Sequence, residues 1–447
     1  MADSEQIIQH CLRAISQINM RDVACLVGDG FGVQGLFFDP EDIDAVYASD
    51  ADSNEQLRCQ LQAFLKKLDE ASRNDLPIVF MLSYEAGVIL DASSVHIPNL
   101  VKRFNGPLAW ACSYHGGISF DDSFPHFAKS PHAKTLLEQL ENVFEHAGAT
   151  EHNIQGKDEG DSTGLLPLHI RSGEPERHET RIKKCVRYAR EGVLYQANLT
   201  HTLDLPVFTY PDAVSRYADC VQRGPTPAFA AMVDRSDSGS LLSLSPESFL
   251  KFDFSEGWAQ AFPIKGTRPR GATADEDAHN LAELKTSEKD RAEHIMIVDL
   301  LRNDLGKVAK AGGVQVKSLM HTLSVTNVHH LESLIHADLE EGTSIADLLQ
   351  ATVPGGSISG APKSAAIEVI HELEDGPRGP YTGNLGLLWG QKGAASILIR
   401  TWIRPDDESG RLQVGGGIVV DSCPELEWKE TIHKAAAFGH VVRQGKL

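Results

Sequence analysis

Short apolar runs that alternate with amphipathic stretches are the feature that most constrains how this chain can fold. Apolar positions recur at helical spacing along residues 54–72, and a second helix is predicted over residues 131–147. No apolar run approaches the roughly 18 residues of a membrane-spanning helix. We therefore predict a globular protein with both helices and strands, and no membrane association. The predicted strands are residues 76–84, 228–233, 239–244 and 248–252.

The overall charge limits the partners that the protein can have. Its 447 residues include 62 acidic and 42 basic side chains, a formal net charge of −20, which would repel nucleic acid and anionic membranes. An anionic substrate would need local cations, a metal ion or backbone N–H groups. The seven cysteines form no C-x-x-C pair, which favours reduced thiols. Because the first residues lack a basic segment followed by an apolar one, we expect a cytoplasmic protein.

A polar, acidic and glycine-rich segment at residues 151–164 is the predicted boundary between two regions. Residues 1–160 would form an amino-terminal region, and residues 161–447 would carry the chemistry. In the first region Gly30, Gly32 and Gly35 match G-x-G-x-x-G, but a strand-like run follows them where a dinucleotide site requires a helix. We therefore predict a hairpin turn at these glycines.

The stretch AFPIKGTRPRG, at residues 261–271, contains the most distinctive lysine of the chain. We predict a turn that holds Lys265 beside Arg268 and Arg270, whose charges would lower the pKa of the lysine. A lysine that loses its proton near neutral pH can serve as a nucleophile or base. The alternative is a solvated basic turn that binds phosphate or no ligand.

Two predicted helix starts each present a pair of carboxylates. One helix is predicted over residues 287–303 with Ser287 as its cap, and the other begins with Ser422 as its cap. Carboxylate oxygens at i, i+3 spacing suit a hard divalent cation such as Mg²⁺, although caps and solvated acids give the same spacing. The pairs are Asp290 with Glu293 in the first helix and Glu427 with Glu430 in the second, where Glu425 would close a capping box.

A glycine-rich loop, TVPGGSISGAPK at residues 352–363, precedes a predicted helix at residues 364–373. Backbone N–H groups at a helix start bind anions, and Lys363 adds positive charge, so we expect a carboxylate site; a plain loop-to-helix turn is the alternative. Arg400 ends an apolar strand, where an interface salt bridge is the usual role. Glycines 415–417 inside a predicted strand indicate a bulge or close approach to a bound molecule. His329 and His330 are predicted to precede a helical stretch at residues 331–339.

Six motifs occur in the order found in one enzyme family. They are YQANLT at 195–200, SPE at 245–247, PIKGTRPRG at 263–271, AEHIMIVDLLRND at 292–304, GSISGAPK at 356–363 and GGGIVVDS at 415–422. Over roughly residues 175–440 the chain thus resembles the chorismate-utilising enzymes, which include anthranilate, aminodeoxychorismate, isochorismate and salicylate synthases. The resemblance implies an α+β fold in which two antiparallel β-sheets pack together with helices outside.

The resemblance also implies roles for individual residues. Glu293, Glu427 and Glu430 would hold Mg²⁺ or its waters, with Asp290 as a further candidate. Glu247 would be the general acid at the leaving hydroxyl. The remaining catalytic candidates are Lys265, His330 and Ser357, and the groups implied to bind substrate are Tyr381, Arg400, Lys434, Lys363, Thr267 and the backbone of Gly360, Ala361, Gly415, Gly416 and Gly417.

The lysine of PIKGT is similar to that of the aminodeoxychorismate synthases, whereas anthranilate synthases have alanine there. Isochorismate and salicylate synthases carry a different lysine, where this chain has Gln196. The resemblance implies amination of chorismate at ring carbon 4, in the synthesis of 4-aminobenzoate and folate. We hypothesise that the Lys265 amine attacks ring carbon 2 first. An anthranilate synthase and a non-catalytic ligand-binding partner are the alternatives.

The source of ammonia follows from what the sequence lacks. No cysteine nucleophile paired with a later His and Glu is evident, so we expect ammonia from a separate glutamine amidotransferase subunit or from solution. The tryptophan-binding stretch of anthranilate synthases is not evident in the first 100 residues either. Feedback by tryptophan is therefore not predicted.

Overall fold

A computed structural model describes residues 4–51, 53–91, 106–121, 123–147, 166–324, 328–405 and 408–442. The helices are α1 Ser4–Gln17, α2 Asn54–Ala71, α3 Tyr84–Leu90, α4 Pro131–Ala147, α5 Glu174–Arg190, α6 Tyr210–Gln222, α7 Ala274–Thr286, α8 Glu288–Gly306, α9 Ile345–Thr352, α10 Gly356–Ser359, α11 Lys363–Leu373 and α12 Pro424–Ala435.

The strands alternate with these helices along the chain. They are β1 Ala24–Leu26, β2 Gly35–Tyr47, β3 Pro77–Leu82, β4 Pro107–Ser119, β5 Phe127–Ala128, β6 Leu166–Ile170, β7 Gln196–Asp204, β8 Phe229–Arg235, β9 Gly239–Ser245, β10 Ser248–Asp253, β11 Trp258–Ala261, β12 Ile264–Pro269, β13 Ala309–Ser324, β14 Val328–Leu339, β15 Gly360–Ala361, β16 Asn384–Trp389, β17 Lys392–Ile397, β18 Thr401–Arg404, β19 Arg411–Val419 and β20 Gly439–Val442.

Hydrogen bonding joins the strands of the described residues into one network. The pairing of β20 with β6 is parallel, and the others are antiparallel. Strands β1 and β3 pair with β8 and β16, so elements from both sides of residue 160 share the network. The segment at residues 151–164, predicted as a boundary, lies outside the described residues.

Three apolar clusters show how the layers pack. One cluster is formed almost wholly by strand residues, among them Phe37, Trp110 and Leu387, so it fills the space between two faces of sheet. The other two lie between strands and helices, with α2, α5, α8 and α11 contributing to the largest. The predicted α+β class, with packed sheet layers inside and helices outside, is confirmed.

Most of the predicted elements are present. Helices α2 and α4 and the strands β3, β8, β9 and β10 occur where the apolar spacing placed them. The glycines near residue 30 form the β1–β2 connection, and these strands pair as an antiparallel hairpin. The dinucleotide motif was therefore correctly rejected. No helix of the described residues is long and apolar enough to cross a membrane.

Two predictions of local structure are wrong. Residues 331–339 form the second part of strand β14, not a helix: burial alternates with every residue from Val328 to Leu339, which is the period of a strand. The basic stretch around Lys265 is likewise the strand β12, not a turn. It pairs with β14. This pairing with residues that are distant in sequence holds the short polar stretch in an extended conformation.

Candidate active site

Lys265 lies on β12 next to an irregularity of the strand. The pairing of β12 with β14 shifts register between Lys265 and Thr267, and Gly266 at the shift has a φ of 79°. A Cβ at Gly266 would approach the Leu284 side chain to 2.9 Å. A bulge of this kind changes the direction of neighbouring side chains, and its left-handed backbone and tight packing both require glycine.

Burial, and not the neighbouring arginines, lowers the pKa of Lys265. Desolvation is the largest cause; Glu247 and Glu293 oppose it, and Lys434 adds to it. Arg268 is ion-paired with Glu283 and Asp290, so the predicted influence of the arginines on Lys265 is wrong. Arg268 lies on β12, and Arg270 directly follows the strand. Acids of α7 and α8 neutralise both arginines. No carboxylate in the described parts of the chain lies within 4.0 Å of the Lys265 Nζ.

Glu247 joins β9 to β10 and faces the same space as Lys265. Burial raises the pKa of Glu247, while Lys265, the Ser357 hydroxyl and Lys434 lower it. Ser245 positions the turn, since its hydroxyl accepts the Glu247 N–H at 3.2 Å and donates to the Ile397 carbonyl at 2.6 Å. Burial thus drives Lys265 towards a neutral amine and Glu247 towards a neutral acid. The two groups oppose each other's shifts, because each charge favours the charged form of the other.

Arg400 is a half-buried cation without an acidic partner in the described part of the chain. Burial lowers its pKa, and the nearby charge of Glu247 opposes this. Among the described residues no hydrogen bond or ion pair involves its guanidinium. The backbone of Arg400 has a φ of 48°, an uncommon conformation for a non-glycine residue. A guanidinium held in this way is suited to a carboxylate brought by a ligand.

Tyr381 lies close to the same group. It is 4% exposed, and burial raises the pKa of its hydroxyl, with Arg378 opposing and Glu247 adding to the shift. The hydroxyl therefore remains protonated and can donate a hydrogen bond. Tyr381 and Arg400 are each within electrostatic range of Glu247.

The acids of α12 gather above the glycine strand β19. A Cβ at Gly416 would lie 3.5 Å from Glu427 Oε2, 3.7 Å from Lys434 Nζ and 3.9 Å from Glu430 Oε1. Lys434 donates to the Gly415 carbonyl at 2.8 Å and pairs with Glu430 at 2.8 Å. Because Gly416 has no side chain, space remains between β19 and the side chains of Glu427, Lys434 and Glu430.

Glu293 approaches this group from α8. Burial raises its pKa; Lys265 and Lys289 oppose the shift, and Asp290 and Glu430 add to it. The pKa of Glu427 is also raised by burial and by Glu430. Carboxylates from two helices therefore share one electrostatic neighbourhood, in which like charges repel.

Ser422 has a different role from the predicted helix cap. Cys423 is the N-cap of α12 and makes no side-chain cap bond. Ser422 instead donates to Glu427 Oε1 at 2.7 Å, and its hydroxyl accepts the Val419 N–H at 3.1 Å. The proline at the first turn moved the helix start by one residue, so the hydroxyl orients an acid of the site.

The donor set of these helices fits Mg²⁺ in its chemistry. Within the part of the chain that the structure describes, no group of three His, Cys, Asp or Glu side chains has the spacing of a preformed metal centre. Mg²⁺ usually keeps several waters and takes one or two carboxylates, so a complete protein cage is not required. Glu427 and Glu293, which are both repelled by Glu430, would be the oxygen ligands of such an ion.

Several predicted site residues are engaged elsewhere. Asp290 pairs with Arg268 at 3.0 Å. Lys363 pairs with Asp304 at 2.7 Å, so it fastens α11 to α8. The Thr267 hydroxyl is 3.0 Å from His330 Nδ1. His330 itself lies near Arg400, which lowers its pKa after the larger effect of burial.

The predicted anion loop also differs from the expectation. Gly360 and Ala361 pair with Ala197 and Gln196 of β7, so their backbone belongs to the sheet. A Cβ at Gly360 would meet the Gln196 carbonyl oxygen at 2.1 Å. Gly360 is therefore explained by close strand packing, and Ser357, which precedes it, is the residue of this loop that reaches Glu247.

Arg378 is an organising residue that the sequence analysis missed. It is 1% exposed and bonds twice to Glu374, at 2.7 and 2.9 Å, and to the carbonyl oxygens of Asn198 and Ile358. It thereby connects α11 and β7 with the loop that carries Tyr381. The surrounding PRGP sequence resembles an ordinary turn, so no local signal identified it.

His294 is a second missed residue, although it lies inside a recognised motif. It is fully buried, and its Nε2 is 2.7 Å from the Ser333 hydroxyl. Ser333 also accepts the Met320 N–H at 2.9 Å, and its own N–H donates to Pro263 O at 3.1 Å. These contacts connect α8 with the strand entering Lys265.

Comparison with known proteins gives one family. A family model described as chorismate binding enzyme matches residues 24–440. The chain is 43% identical over 258 residues to anthranilate synthase component 1 3 of Haloarcula marismortui, covering 58% of this chain and 50% of that protein. It is 41% identical over 261 residues to aminodeoxychorismate synthase component 1 of Escherichia coli, covering 58% and 56%.

The matched stretches span about half the length of these curated relatives, and 39% of an aminodeoxychorismate synthase of Streptomyces pristinaespiralis that is 39% identical over 286 residues. The crystal structure of anthranilate synthase component I from Streptococcus pneumoniae has a TM-score of 0.70 at 25% identity, covering 91% of this chain and 92% of that chain. The isochorismate synthase MenF of Escherichia coli has a TM-score of 0.63 at 17% identity, covering 96% and 90%. At that identity the likeness concerns the fold alone.

Proposed function

This chain belongs to the chorismate-binding enzyme family, and from that premise we propose that it is an aminodeoxychorismate synthase component I. It would convert chorismate and ammonia to 4-amino-4-deoxychorismate with Mg²⁺. The observation that carries the proposal is the pair of Lys265 and Glu247, which are partly buried and within electrostatic range of each other. Burial moves the pKa of the lysine down and that of the glutamate up, which favours the amine and the acid that this reaction needs.

Chorismate carries two carboxylates, and the site has cations for them. Arg400 has no acidic partner among the described residues, and the Tyr381 hydroxyl remains protonated. A bidentate guanidinium contact with one carboxylate would fix the ring. Local cations and the metal explain how a protein with a net charge of −20 could hold a dianion.

The proposed first step starts from a neutral Lys265 amine and a protonated Glu247. The Lys265 amine attacks ring carbon 2, the conjugated double bonds shift, and the bond from carbon 4 to its hydroxyl oxygen breaks. Hydroxide is a poor leaving group, so Glu247 donates its proton and water departs. The result is a secondary ammonium on Lys265 and a Glu247 carboxylate.

The second step reverses the shift. Ammonia attacks carbon 4, the double bonds return, and the bond from carbon 2 to nitrogen breaks, so that Lys265 leaves as a neutral amine. Glu247 regains a proton from the new ammonium group. The enolpyruvyl ether stays intact, and both residues return to their starting states.

Mg²⁺ held by Glu427 and Glu293, with Glu430 at its waters, would supply a positive charge that draws electrons from the ring carboxylate. Ser422 would keep Glu427 in position through its 2.7 Å hydrogen bond. Lys434, which is paired with Glu430, balances the acidic group when the metal is not bound. Ser357 and His330 would contact the ring.

We propose a glutamine amidotransferase subunit as the ammonia source, because relatives of this chain are named as component 1 of a synthase. All seven cysteines are free thiols, which is compatible with the cytoplasmic location we propose. Neither point affects the chemistry at Lys265, since free ammonia serves the same step.

Anthranilate synthase is the second candidate, because a relative of that name is as similar as those named aminodeoxychorismate synthase. Lys265 argues against it, because anthranilate synthases have alanine at this position of the PIKGT motif. The two activities differ in their products. An anthranilate synthase releases pyruvate and a fluorescent aromatic amine.

The test is incubation of the purified chain with chorismate, Mg²⁺ and ammonium, followed by mass analysis. We expect a product that keeps the enolpyruvyl group and gains an amine, with no pyruvate until a lyase is added. Release of pyruvate and anthranilate would support the second candidate. No turnover with a supplied amidotransferase would reject both.

A further inference from the structure

A cavity of about 370 Å³ lies away from the candidate active site and shares no residue with it. It opens where the hairpin pairing of β1 with β2 has ended, between Asp39 and Asp42 of β2 and the end of β8 at Asp234 and Arg235. Strand β4 lines one side of it, and α4 lines another. Nothing in the proposed reaction uses it.

The wall of this cavity is strongly acidic. Among the described residues, five aspartates line it, at positions 22, 39, 42, 234 and 237, against two arginines, Arg21 and Arg235. The formal difference is three negative charges. Arg21 is bound by Asp234, and Arg235 by Asp42 and Asp237, so the arginines already have acidic partners within the wall.

Three of the aspartates have an oxygen left over. Asp22 accepts the Ser236 N–H through Oδ1, Asp39 accepts the Ser130 hydroxyl through Oδ2, and Asp42 binds Arg235 through Oδ1. Across the described ranges, the other oxygen of each carboxylate has no hydrogen-bond partner. These oxygens are acceptors, so a ligand must bring the donors.

An unpartnered tyrosine on the cavity wall gives an independent indication of a ligand. Tyr114 is 1% exposed and lines the cavity, yet its hydroxyl makes no hydrogen bond within the described structure. Burial raises its pKa, and the charges of Asp22 and Asp234 add to the shift, so the hydroxyl lies within electrostatic range of the acidic wall. The hydroxyl oxygen itself is accessible from the cavity, so a donor from a ligand can reach it.

The backbone at this cavity resembles that at Arg400 in one respect. Six non-glycine residues of the described chain have positive φ; two of them are Asp22 at 56° and Asp39 at 58°, both on the cavity wall. Left-handed residues of this kind cluster at ligand sites because the fold must hold them there. Asp22 precedes β1 and Asp39 lies on β2, and both carboxylates line the same opening.

A bare metal ion is a poor match for the cavity. No group of His, Cys, Asp or Glu side chains among the described residues has metal-ligand spacing, and 370 Å³ far exceeds the space an ion occupies. Leu136 of α4 supplies an apolar patch one turn from His132. The cavity therefore offers acceptors for an ammonium group and a surface for a short hydrocarbon stem.

We propose that this cavity binds a small aliphatic amine as its ammonium ion. The ammonium group donates to the free oxygens of Asp22, Asp39 and Asp42 and to the Tyr114 hydroxyl oxygen, and the stem packs on Leu136. The assignment does not depend on chorismate chemistry, because no residue is shared between the two sites.

The test is calorimetric titration of the full chain with putrescine at about 0.15 M salt, where exposed surface charges are largely screened. We expect one saturable site in the wild type. Asp22→Asn and Tyr114→Phe each remove one acceptor interaction and should weaken binding about tenfold, the effect expected from a charge-assisted hydrogen bond. Melting curves establish that both variants are folded.

Matched variants separate a site from the general attraction of an acidic protein for a cation. Asp299→Asn removes the same charge from an exposed position that is paired only with Arg302, and Tyr188→Phe removes a hydroxyl on α5 that contacts Glu372. Both should bind putrescine as the wild type does. 1,4-Butanediol, which has the same length and no charge, should not bind.

Three results would overturn the proposal. They are the absence of saturable heat with putrescine, equal weakening in Asp22→Asn and Asp299→Asn, and equal binding of the uncharged diol. Lys265→Met should retain the putrescine site. A loss of amination in that variant therefore leaves the amine site unaffected, and the failure of one proposal is distinguishable from that of the other.

Discussion

Replacing Arg400 by glutamine should weaken chorismate binding without weakening the fold. The guanidinium has no acidic partner among the described residues and is half-buried next to Glu247. Its removal therefore leaves no carboxylate of the protein without a partner. Hydrogen bonds to charged groups are worth about 1.5–3 kcal/mol, so kcat/KM for chorismate should fall about 10- to 150-fold, at 1.4 kcal/mol per tenfold.

Arg378 provides a matched comparison within the same region. Arg378 is fully buried, and Glu374, which is itself nearly buried, binds it at 2.7 Å. Arg378→Gln should lower the free energy of unfolding by about 3–5 kcal/mol, because it leaves a buried carboxylate without its partner. Arg400→Gln should therefore change kcat/KM, whereas Arg378→Gln should change the free energy of unfolding.

Steady-state kinetics with ammonium as nitrogen donor, together with denaturant unfolding, separate the two effects. We expect Arg400→Gln to unfold at or above the wild-type midpoint while its kcat/KM falls. An unchanged kcat/KM, or a loss of stability as large as that of Arg378→Gln, would refute the argument that Arg400 awaits a ligand carboxylate.

Three further predictions concern the acids and the lysine. Ser422→Ala removes the hydrogen bond to Glu427 and should raise the Mg²⁺ concentration for half-maximal activity about 10- to 100-fold, whereas Ser255→Ala, far from the acids, should not. Glu247→Gln should lower the amination rate about 10²- to 10⁴-fold while melting curves show an intact fold. Lys265→Met should abolish amination yet raise the free energy of unfolding at pH 7 by about 0.5–2 kcal/mol. Because the pKa of Lys265 is lowered in the folded state, the unfolded wild type binds more protons and its stability rises with pH towards the ordinary lysine pKa of 10.5. The difference in stability between the variant and the wild type should therefore close as the pH rises. An equal gap at pH 7 and pH 10 would contradict the assigned burial of the charge.

The fold could be predicted from sequence where patterns are local. The helical spacing along α2 and the hairpin glycines between β1 and β2 both gave the observed elements. Strand β12 could not be recognised in this way, because its residues are polar and become extended only by pairing with β14. The alternation of apolar and polar residues along β14 is visible in the sequence. A short run of mixed residues, however, fits both the two-residue period of a strand and the 3.6-residue period of a helix.

The candidate site was predictable in its members and not in its physics. The resemblance implied that Lys265, Glu247 and Arg400 belong to one site, and both cations lie within electrostatic range of Glu247. The cause of the lysine pKa shift was not predictable, because the burial of Lys265 depends on α8, α12 and the strand around Gly416, which are distant in sequence. Arg378 and Ser422 act through contacts that no local pattern encodes.

The state of Lys265 during the reaction is the central claim, and mass spectrometry tests it directly. The full chain is incubated with chorismate and Mg²⁺ without ammonia, quenched, and digested. We predict an adduct of chorismate less one water on Lys265, absent from Lys265→Ala and discharged when ammonium is added. If no adduct forms and Lys265→Ala still aminates chorismate at the wild-type rate, the lysine is not the nucleophile and the account is contradicted.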